Sequence, residues 1–199
     1  MIIGILALQG DVAEHRVALV NAGVRQVKEI RNPLDLEGID GLIIPGGEST
    51  TISMLCISTG LDIAIQQKID SKLPVYGSCA GMIMLATEIL DGRSDQFGFK
   101  ALDIAVRRNG FGRQVDSFET EVTFLDGKVT NGVFIRAPRI ESVGPLVEVL
   151  ATIDYQGRKV PVAVKAGNAL ATAYHPELDS LSQIHSIFVQ MVQKATERV

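Results

Sequence analysis

A cysteine flanked by small residues is the first candidate for chemistry in this sequence. Cys79 is the centre of Gly77-Ser78-Cys79-Ala80-Gly81, which follows a predicted strand and precedes a predicted helix that begins near Ala80. A sharp strand-to-helix turn exposes its central side chain at the carboxyl edge of a sheet, and it needs small neighbours because other backbone passes close by. The helix start favours a thiolate and can hold an oxyanion. Cys79 is therefore a candidate nucleophile, with a buried, inert cysteine beside a tight turn as the alternative.

A histidine and a glutamate separated by a proline are the second candidate, in His175-Pro176-Glu177. The proline pushes His175 toward an extended conformation, so the side chains of His175 and Glu177 are expected to project to the same side. Glu177 could then accept the Nδ1–H of His175 and leave Nε2 facing a thiol. A surface His-Pro turn is the plain alternative. Together with Cys79 in the same chain, the pattern favours nucleophilic catalysis.

A glycine-containing loop, Pro45-Gly46-Gly47-Glu48-Ser49-Thr50-Thr51, follows another predicted strand. Its two glycines allow a turn whose N–H groups bind an anion, and Ser49 or Thr50 is expected to cap the next helix. The loop lacks the lysine and the spacing of a phosphate-binding P-loop, so no nucleotide site is predicted. Ligands of open α/β sheets collect at the carboxyl ends of strands, where both this loop and Cys79 are expected to lie.

The sequence patterns around several other polar residues are less specific. The second half of the chain contains four arginines that could hold a substrate carboxylate or simply be solvated, namely Arg107, Arg108, Arg113 and Arg136. Cys56 lies between Leu55 and Ile57 on a predicted helix and is expected to pack in the core. His15 and His185 are on predicted helices far in sequence from Cys79 and are assigned no catalytic role.

The elements that must position these residues alternate between β-branched runs and amphipathic stretches. Strands are predicted at Ile2–Leu8, Gly41–Pro45, Val75–Ser78 and Leu170–Tyr174, and helices at Asp11–Ala22, Ser49–Lys68 with a break at Gly60, Met82–Leu90 and Leu181–Ala195. Antiparallel strands are predicted at Phe118–Phe124, Val147–Ile153 and Val160–Lys165. The order predicts an α/β fold: a three-layer, open, mostly parallel sheet with helices on both faces and an antiparallel extension, in a single domain over residues 1–199.

Composition limits the classes of function. The 199 residues are 46% hydrophobic and 21% charged, with a formal net charge of −4. No run of basic residues suggests a nucleic-acid partner. Two cysteines and three histidines without a CxxC motif leave little room for a zinc site or a disulfide framework. The apolar N-terminal run is too short for a membrane span and has no basic region before it. The expectation is a cytoplasmic protein that contacts neither membrane nor nucleic acid.

Four motifs, spread over nearly the whole chain, carry a resemblance to a known family. They are Leu8-Gln9-Gly10, Pro45–Thr51, the RNGFGRQVDSFE segment at Arg108–Glu119, and Phe134-Ile135-Arg136-Ala137-Pro138. With the cysteine elbow and the His-Pro-Glu segment, the chain resembles the class I (triad) glutamine amidotransferases, whose fold is flavodoxin-like. More narrowly, it resembles the PdxT/SNO family, the glutaminase subunits of pyridoxal 5'-phosphate synthase.

The resemblance implies a role for each matched position. Cys79 would be the nucleophile of a triad with His175 and Glu177, which hydrolyses L-glutamine to L-glutamate and ammonia. Binding of L-glutamine is implied for Gly47, Glu48, Ser49, Arg108, Ile135 and Arg136, and an oxyanion site for the N–H groups of Gly47 and Ala80. No cofactor is implied. The acceptor of the ammonia would be a separate synthase subunit of the PdxS/SNZ family in a hetero-oligomer.

Two other classes of function remain open at this point. An elbow cysteine on an α/β fold could act as an oxidisable thiolate in a redox or stress-response binding protein. That alternative leaves Glu177 and the glycine loop without a task. A non-catalytic, partner-binding subunit is the third possibility, and the complete set of Cys79, His175 and Glu177 argues against it.

Overall fold

The computed structural model describes residues 1–112, 117–179 and 182–197. Its strands are β1 (Ile2–Leu6), β2 (Gln26–Ile30), β3 (Gly41–Ile44), β4 (Val75–Ser78), β5 (Ala86–Ile89), β6 (Leu102–Arg107), β7 (Ser117–Phe124), β8 (Val129–Ile135), β9 (Arg139–Val143), β10 (Glu148–Tyr155), β11 (Arg158–Ala166) and β12 (Ala169–Thr172). Its α-helices are α1 (Val12–Asn21), α2 (Ser49–Thr59), α3 (Leu61–Asp70), α4 (Ala80–Leu85) and α5 (Gln183–Thr196). Short 3₁₀ helices span Pro33–Leu36 and Pro176–Leu178.

The main sheet has the order β2-β1-β3-β4-β12-β11-β10-β7-β8. Pairing from β2 to β12 is parallel, and pairing from β12 to β8 is antiparallel. The chain moves from β1 outward to β2, but from β3 it moves in the opposite direction to β4. Because such crossovers are right-handed, the helices that follow β1 and β3 cover opposite faces. Accordingly α1 packs against α5, whereas α2 packs against α3 and α4. The predicted α/β class and antiparallel extension are confirmed.

The central parallel strands are buried on both faces. Every residue of β3, β4 and β12 is buried, as expected where helices cover both sides of a parallel sheet. One hydrophobic cluster extends from Ile3 to Val192 and includes residues from the parallel and antiparallel parts of the sheet. The strands at the centre of the molecule therefore hold their carboxyl ends in fixed positions.

Two helix predictions differ in outcome. The break at Gly60 is confirmed, since α2 ends there with a left-handed glycine of φ 73° and α3 begins at the next residue. The helix predicted over Met82–Leu90 is wrong in its second half. All six residues of α4 are buried, but the chain then becomes β5, which pairs with β6 in a second, three-stranded sheet of order β5-β6-β9. The hydroxyl of Thr87 donates to the carbonyl of Leu102 at 2.7 Å, a contact that a run of apolar residues does not reveal.

The last helix was predicted from Leu181. The helix α5 begins at Gln183, and Leu181 lies outside the described residues. Among the helices of the described part of the chain, none has both the length and the apolar character needed to cross a bilayer.

Candidate active site

The candidate residues meet at the carboxyl ends of neighbouring parallel strands. Asp11 follows β1, the Gly46-Gly47 turn follows β3, Cys79 follows β4, and His175 follows β12. These strands are adjacent in the sheet, in the order β1-β3-β4-β12. The strand order reverses between β1 and β3, which is the position where open α/β sheets form their binding crevice.

Cys79 occupies a strained turn between β4 and α4. Its backbone has φ 49° and ψ −102°, a conformation that residues other than glycine rarely adopt. The Cys79 N–H donates to the carbonyl of Thr172 at 2.8 Å, which fixes the turn to the end of β12. The Cys79 Sγ lies 3.9 Å from the carbonyl oxygen of Ile135. The turn thus presents the thiol toward the end of β8, at the edge of the sheet where the parallel strands have their carboxyl ends.

Close backbone packing explains the glycines of this turn. A Cβ atom at Gly81 would overlap the carbonyl oxygen of Ile44, and one at Gly77 would overlap the carbonyl group of Gly81. We expect Gly81→Ala to lower the free energy of unfolding by about 1–3 kcal/mol, because β3 and α4 would have to separate. Urea unfolding measures this. Gly98→Ala, whose added Cβ would lie 3.3 Å from its nearest neighbour, should cost less; an equal loss would contradict the packing argument.

His175 is held between two carboxylates. Its Nδ1 lies 2.8 Å from Glu177 Oε1 and 3.2 Å from Asp11 Oδ2. The side chain of Glu177 is fully buried, whereas that of Asp11 is 37% exposed. The His175 N–H donates to the carbonyl of Val133 at 2.9 Å, so β8 fixes the backbone at this point. The imidazole therefore donates from Nδ1, and its Nε2 is left for the thiol side.

The charges in this cluster depend on one another. Burial lowers the pKa of His175, but its interactions with Asp11, Cys79 and Glu177 outweigh burial and raise that pKa well above its ordinary value. Burial raises the pKa of Glu177, while the hydrogen bond from His175 opposes this effect. An imidazolium supported by carboxylates next to a thiol is the arrangement that stabilises a thiolate nucleophile.

Among the described residues, the same three groups are close enough together to be considered as a metal site. One ligand atom each from Asp11, His175 and Glu177 lies within 4.8 Å of the others. Both carboxylates, however, share the single Nδ1–H of His175. A proton thus occupies the position that a cation would need, and hydrogen bonding accounts for the cluster without a metal.

Glu48, rather than Ser49 or Thr50, caps helix α2, which corrects the sequence prediction. The Glu48 carboxylate accepts from the N–H groups of Thr50 and Thr51 at 3.2 and 2.7 Å. A carboxylate at this position satisfies the free N–H groups and interacts favourably with the helix dipole. The same carboxylate pairs with Arg108 Nη2 at 2.8 Å, while the Ser49 hydroxyl accepts from Gln96 at 3.1 Å.

One cavity of about 300 Å³ contains most of the predicted site residues. Its lining consists of Gly47, Glu48, Ser49, Cys79, Ala80, Ile83, Arg108, Asn109, Ile135 and Arg136. It therefore brings the candidate nucleophile, Cys79, together with every residue predicted to bind substrate. Of the other predicted arginines, Arg107 pairs with Glu141 at 3.2 Å, and Arg113 lies outside the described residues.

Sequence reasoning missed several residues that shape this site. Asp11, which contacts His175, could have been found from its position in the turn between the first predicted strand and the helix after it. The Gln9 Oε1 accepts from the N–H of Glu48 at 2.9 Å and so ties the turn after β1 to the glycine loop. His15, assigned no role from the sequence, lies 3.5 Å from Glu177 Oε1 through its Nε2. No local pattern signals this last contact, because it joins residues 162 positions apart.

Comparison with known proteins points to one family over nearly the whole chain. The model of the SNO glutamine amidotransferase family matches residues 5–194. The pyridoxal 5'-phosphate synthase subunit PdxT of Salinispora tropica is 52% identical over 199 residues, covering 98% of each chain. The subunit of the same name from Mycobacteroides abscessus is 52% identical over 194 residues, covering 96% of this chain and 97% of the relative. A crystal structure of a glutamine amidotransferase is 41% identical with a TM-score of 0.87, covering 96% of this chain and 98% of that one.

Proposed function

Because this chain belongs to the SNO glutamine amidotransferase family, we propose that it is the glutaminase subunit of a pyridoxal 5'-phosphate synthase and that Cys79, His175 and Glu177 are its catalytic triad. It hydrolyses L-glutamine to L-glutamate and ammonia. The observation that carries the assignment of the triad is the 2.8 Å hydrogen bond between His175 Nδ1 and buried Glu177 Oε1, beside the cavity that Cys79 lines.

The first half of the reaction forms a thioester. The Cys79 thiolate attacks the side-chain carboxamide carbon of glutamine, and the N–H groups of Gly47 and Ala80 stabilise the resulting oxyanion. One such donor contributes about 3 kcal/mol to lowering the barrier. When the tetrahedral intermediate collapses, the C–N bond breaks and His175 gives its proton to the departing nitrogen. Ammonia leaves and a glutamyl thioester remains on Cys79.

The second half of the reaction uses the same residues in reverse roles. Neutral His175 takes a proton from a water molecule, whose oxygen attacks the thioester carbon. Collapse of this second intermediate releases glutamate and restores the Cys79 thiolate and the His175 imidazolium. Glu177 orients the imidazole in both halves and stabilises its charged form.

The cavity supports recognition of the rest of the substrate. Glutamine carries an α-carboxylate and an α-ammonium group, and the cavity presents cationic Arg108 and Arg136 and anionic Glu48. The Glu48–Arg108 ion pair holds both side chains in place before substrate arrives. We assign glutamine binding to these three residues together with Gly47, Ser49 and Ile135.

Labelling with a glutamine-like electrophile tests the proposed function. The reagent 6-diazo-5-oxo-norleucine should modify Cys79, and excess glutamine should protect the thiol because both compounds occupy the same cavity. Mass spectrometry of peptides locates and quantifies the label. Labelling of Cys79 that is indifferent to glutamine would instead favour the redox or binding alternative.

The ammonia acceptor is proposed to be a separate subunit. Ammonia released to water is protonated and loses its nucleophilicity, so a productive amidotransferase passes it directly to an acceptor site. The sequence contains no phosphate-binding loop for a sugar phosphate. The relatives are named as subunits of pyridoxal 5'-phosphate synthase, which supports a hetero-oligomer with a synthase subunit of the PdxS/SNZ family.

Partner dependence of turnover is the expected consequence. We expect the isolated chain to release ammonia slowly and the synthase subunit to increase kcat, because docking selects the ordered form of the oxyanion loop around Gly47. Steady-state ammonia release with and without the synthase subunit measures the effect. Equal turnover in the two conditions would contradict it.

Two further properties are part of the proposal. A single glutaminase domain is supported by the hydrophobic cluster that extends from Ile3 to Val192. A cytoplasmic location is supported by the two cysteines, Cys56 and Cys79, which are both free thiols.

A further inference from the structure

Behind the proposed triad lies a chain of hydrogen-bonded polar side chains that the mechanism above does not use. His15 Nε2 lies 2.9 Å from Ser78 Oγ and 3.5 Å from Glu177 Oε1. On its other side, His15 Nδ1 lies 2.9 Å from His185 Nε2, and His185 Nδ1 lies 2.8 Å from Ser182 Oγ. The chain joins α1, β4 and α5 to the glutamate that orients His175.

These hydrogen-bonded side chains lie in the buried interior of the molecule. His15, His185 and Ser78 have no exposed surface. The ring of Tyr76 packs edge-on against both histidine rings, at centroid distances of 5.8 and 5.7 Å. Burial lowers the pKa of His15 well below its ordinary value and that of His185 to about 4. Both histidines are therefore neutral at pH 7, each with one donor and one acceptor nitrogen.

The negative charge of Glu177 fixes the direction of every proton in the chain. A carboxylate only accepts, so the proton of His15 sits on Nε2, where it faces Ser78 Oγ and Glu177, and the Ser78 hydroxyl points to Glu177 Oε1 at 3.5 Å. His15 Nδ1 must then accept from His185 Nε2–H, and His185 Nδ1 from the Ser182 hydroxyl. The opposite direction would aim a lone pair of His15 at the carboxylate.

The carboxylate of Glu177 has few other partners. Its Oε2 is buried and has no hydrogen-bond partner among the described residues. Its Oε1 receives the bond from His175 and faces the two donors at 3.5 Å. These last two distances are long for hydrogen bonds, but oriented donors still stabilise a charge in a low-dielectric interior. Because His15 and Ser78 are neutral, they stabilise Glu177 without adding a second cation that would compete with the His175 imidazolium for the carboxylate.

We propose that His15 is a positioning residue for the glutaminase reaction, which keeps Glu177 ionised and fixed in place, and that His185 supports it by setting its tautomer. The proposal rests on the proposed function, because it acts through the Glu177–His175 pair. It predicts that loss of the His15 donor makes Glu177 easier to protonate, which weakens the imidazolium and with it the thiolate.

Other charged and titratable groups also face Glu177 and could influence the pH dependence measured in this test. They are Asp11 and His175 on the cavity side and Tyr76 and Tyr174 behind. Burial, followed by the charge of Glu177, raises the pKa of both tyrosines above the ordinary value of this side chain, so they stay neutral in the acid range. A shift of the acid limb in a His15 variant therefore reports on the triad and not on these tyrosines.

The test compares three variants in the complex with the synthase subunit. His15→Leu removes the donor, and His15→Gln restores a neutral N–H near the position of Nε2. Phe188→Leu, at a neighbour of Tyr76 in the same core, loosens packing without removing any of these hydrogen-bonding groups. For His15→Leu we expect kcat to fall at least about tenfold with KM nearly unchanged, and the acid limb of kcat/KM to rise by about one pH unit. His15→Gln should recover most of the shift, and Phe188→Leu should show none.

A second measurement separates this proposal from the proposed function. The pH midpoint for alkylation of Cys79 by iodoacetamide reports thiolate formation without turnover, and it should rise in His15→Leu but not in Phe188→Leu. If the alkylation midpoints follow this pattern but the wild type does not hydrolyse glutamine, only the proposed function is refuted. Acid limbs and alkylation midpoints that coincide with wild type in His15→Leu would overturn the positioning role. If His15→Leu does not fold, equal midpoints in His15→Gln and the shorter His15→Asn would overturn it.

Discussion

Cys79→Ala should reduce ammonia release from glutamine by at least about 10⁴-fold, because Cys79 is the only thiol that lines the cavity and removal of a triad nucleophile costs rates of this order. The measurement is ammonia release by wild type and variant, each with and without the synthase subunit. The fold should survive, since alanine keeps the Cβ of the strained turn and removes only the sulfur.

Cys56→Ala is the matched control for this substitution. Cys56 is fully buried in α2. Burial and the nearby Asp62 raise the pKa of its thiol to about 12, so it is not a nucleophile at neutral pH. We expect this variant to keep its activity and to lose some stability from the cavity it creates. Ammonia release that survives Cys79→Ala would overturn the assignment of the nucleophile.

Glu177→Gln should lower kcat by about 10³- to 10⁴-fold, the cost of losing the carboxylate that orients a catalytic histidine. The glutamine side chain retains the size of Glu177 but can no longer stabilise the imidazolium. Asp11→Asn should cost less than about tenfold, because Asp11 is partly exposed and its contact with His175 is longer, at 3.2 Å against 2.8 Å. Steady-state kinetics of both variants at one pH gives the comparison.

The double variant tests whether Glu177 and Asp11 both orient His175. If Glu177 alone orients His175, then Glu177→Gln with Asp11→Asn should be nearly as active as Glu177→Gln. A much larger loss in the double variant would mean that Asp11 replaces Glu177 when the latter is neutralised. Equal losses in the two single variants would contradict the unequal roles that burial and distance predict.

Local sequence patterns were sufficient for features that depend on neighbouring residues. The cysteine turn is set by the steric needs of a few consecutive small residues. The His175–Glu177 contact was also predicted, but a 3₁₀ turn over Pro176–Leu178 produces it and not the extended conformation expected at His175. The break at Gly60 follows from the ability of glycine to adopt a left-handed conformation. The sequence also predicted that the buried strands β1, β3, β4 and β12 pair in parallel, because buried β-branched runs alternate with helices. It did not predict their order in the sheet.

Local patterns failed where a choice depended on distant residues. The run Met82–Leu90 is apolar in a way that suits both a buried helix and a strand, and only the presence of β6 decides that Ala86–Ile89 pairs as β5. The Glu48 carboxylate that caps α2 is also held by Arg108, sixty residues away. Periodicity contains no information about such partners.

The sequence by itself determined the family and fold class, and it identified the three residues of the proposed triad, because the spacing of small residues, proline and glycine constrains the backbone through short-range sterics. Only the tertiary structure decided that Asp11 shares the Nδ1–H of His175, that His15 on α1 approaches Glu177, and that His185 on α5 approaches His15. Those contacts arise from the packing of α1 and α5 against the sheet. They depend on how buried surfaces fit together in three dimensions, which no window along the chain can represent.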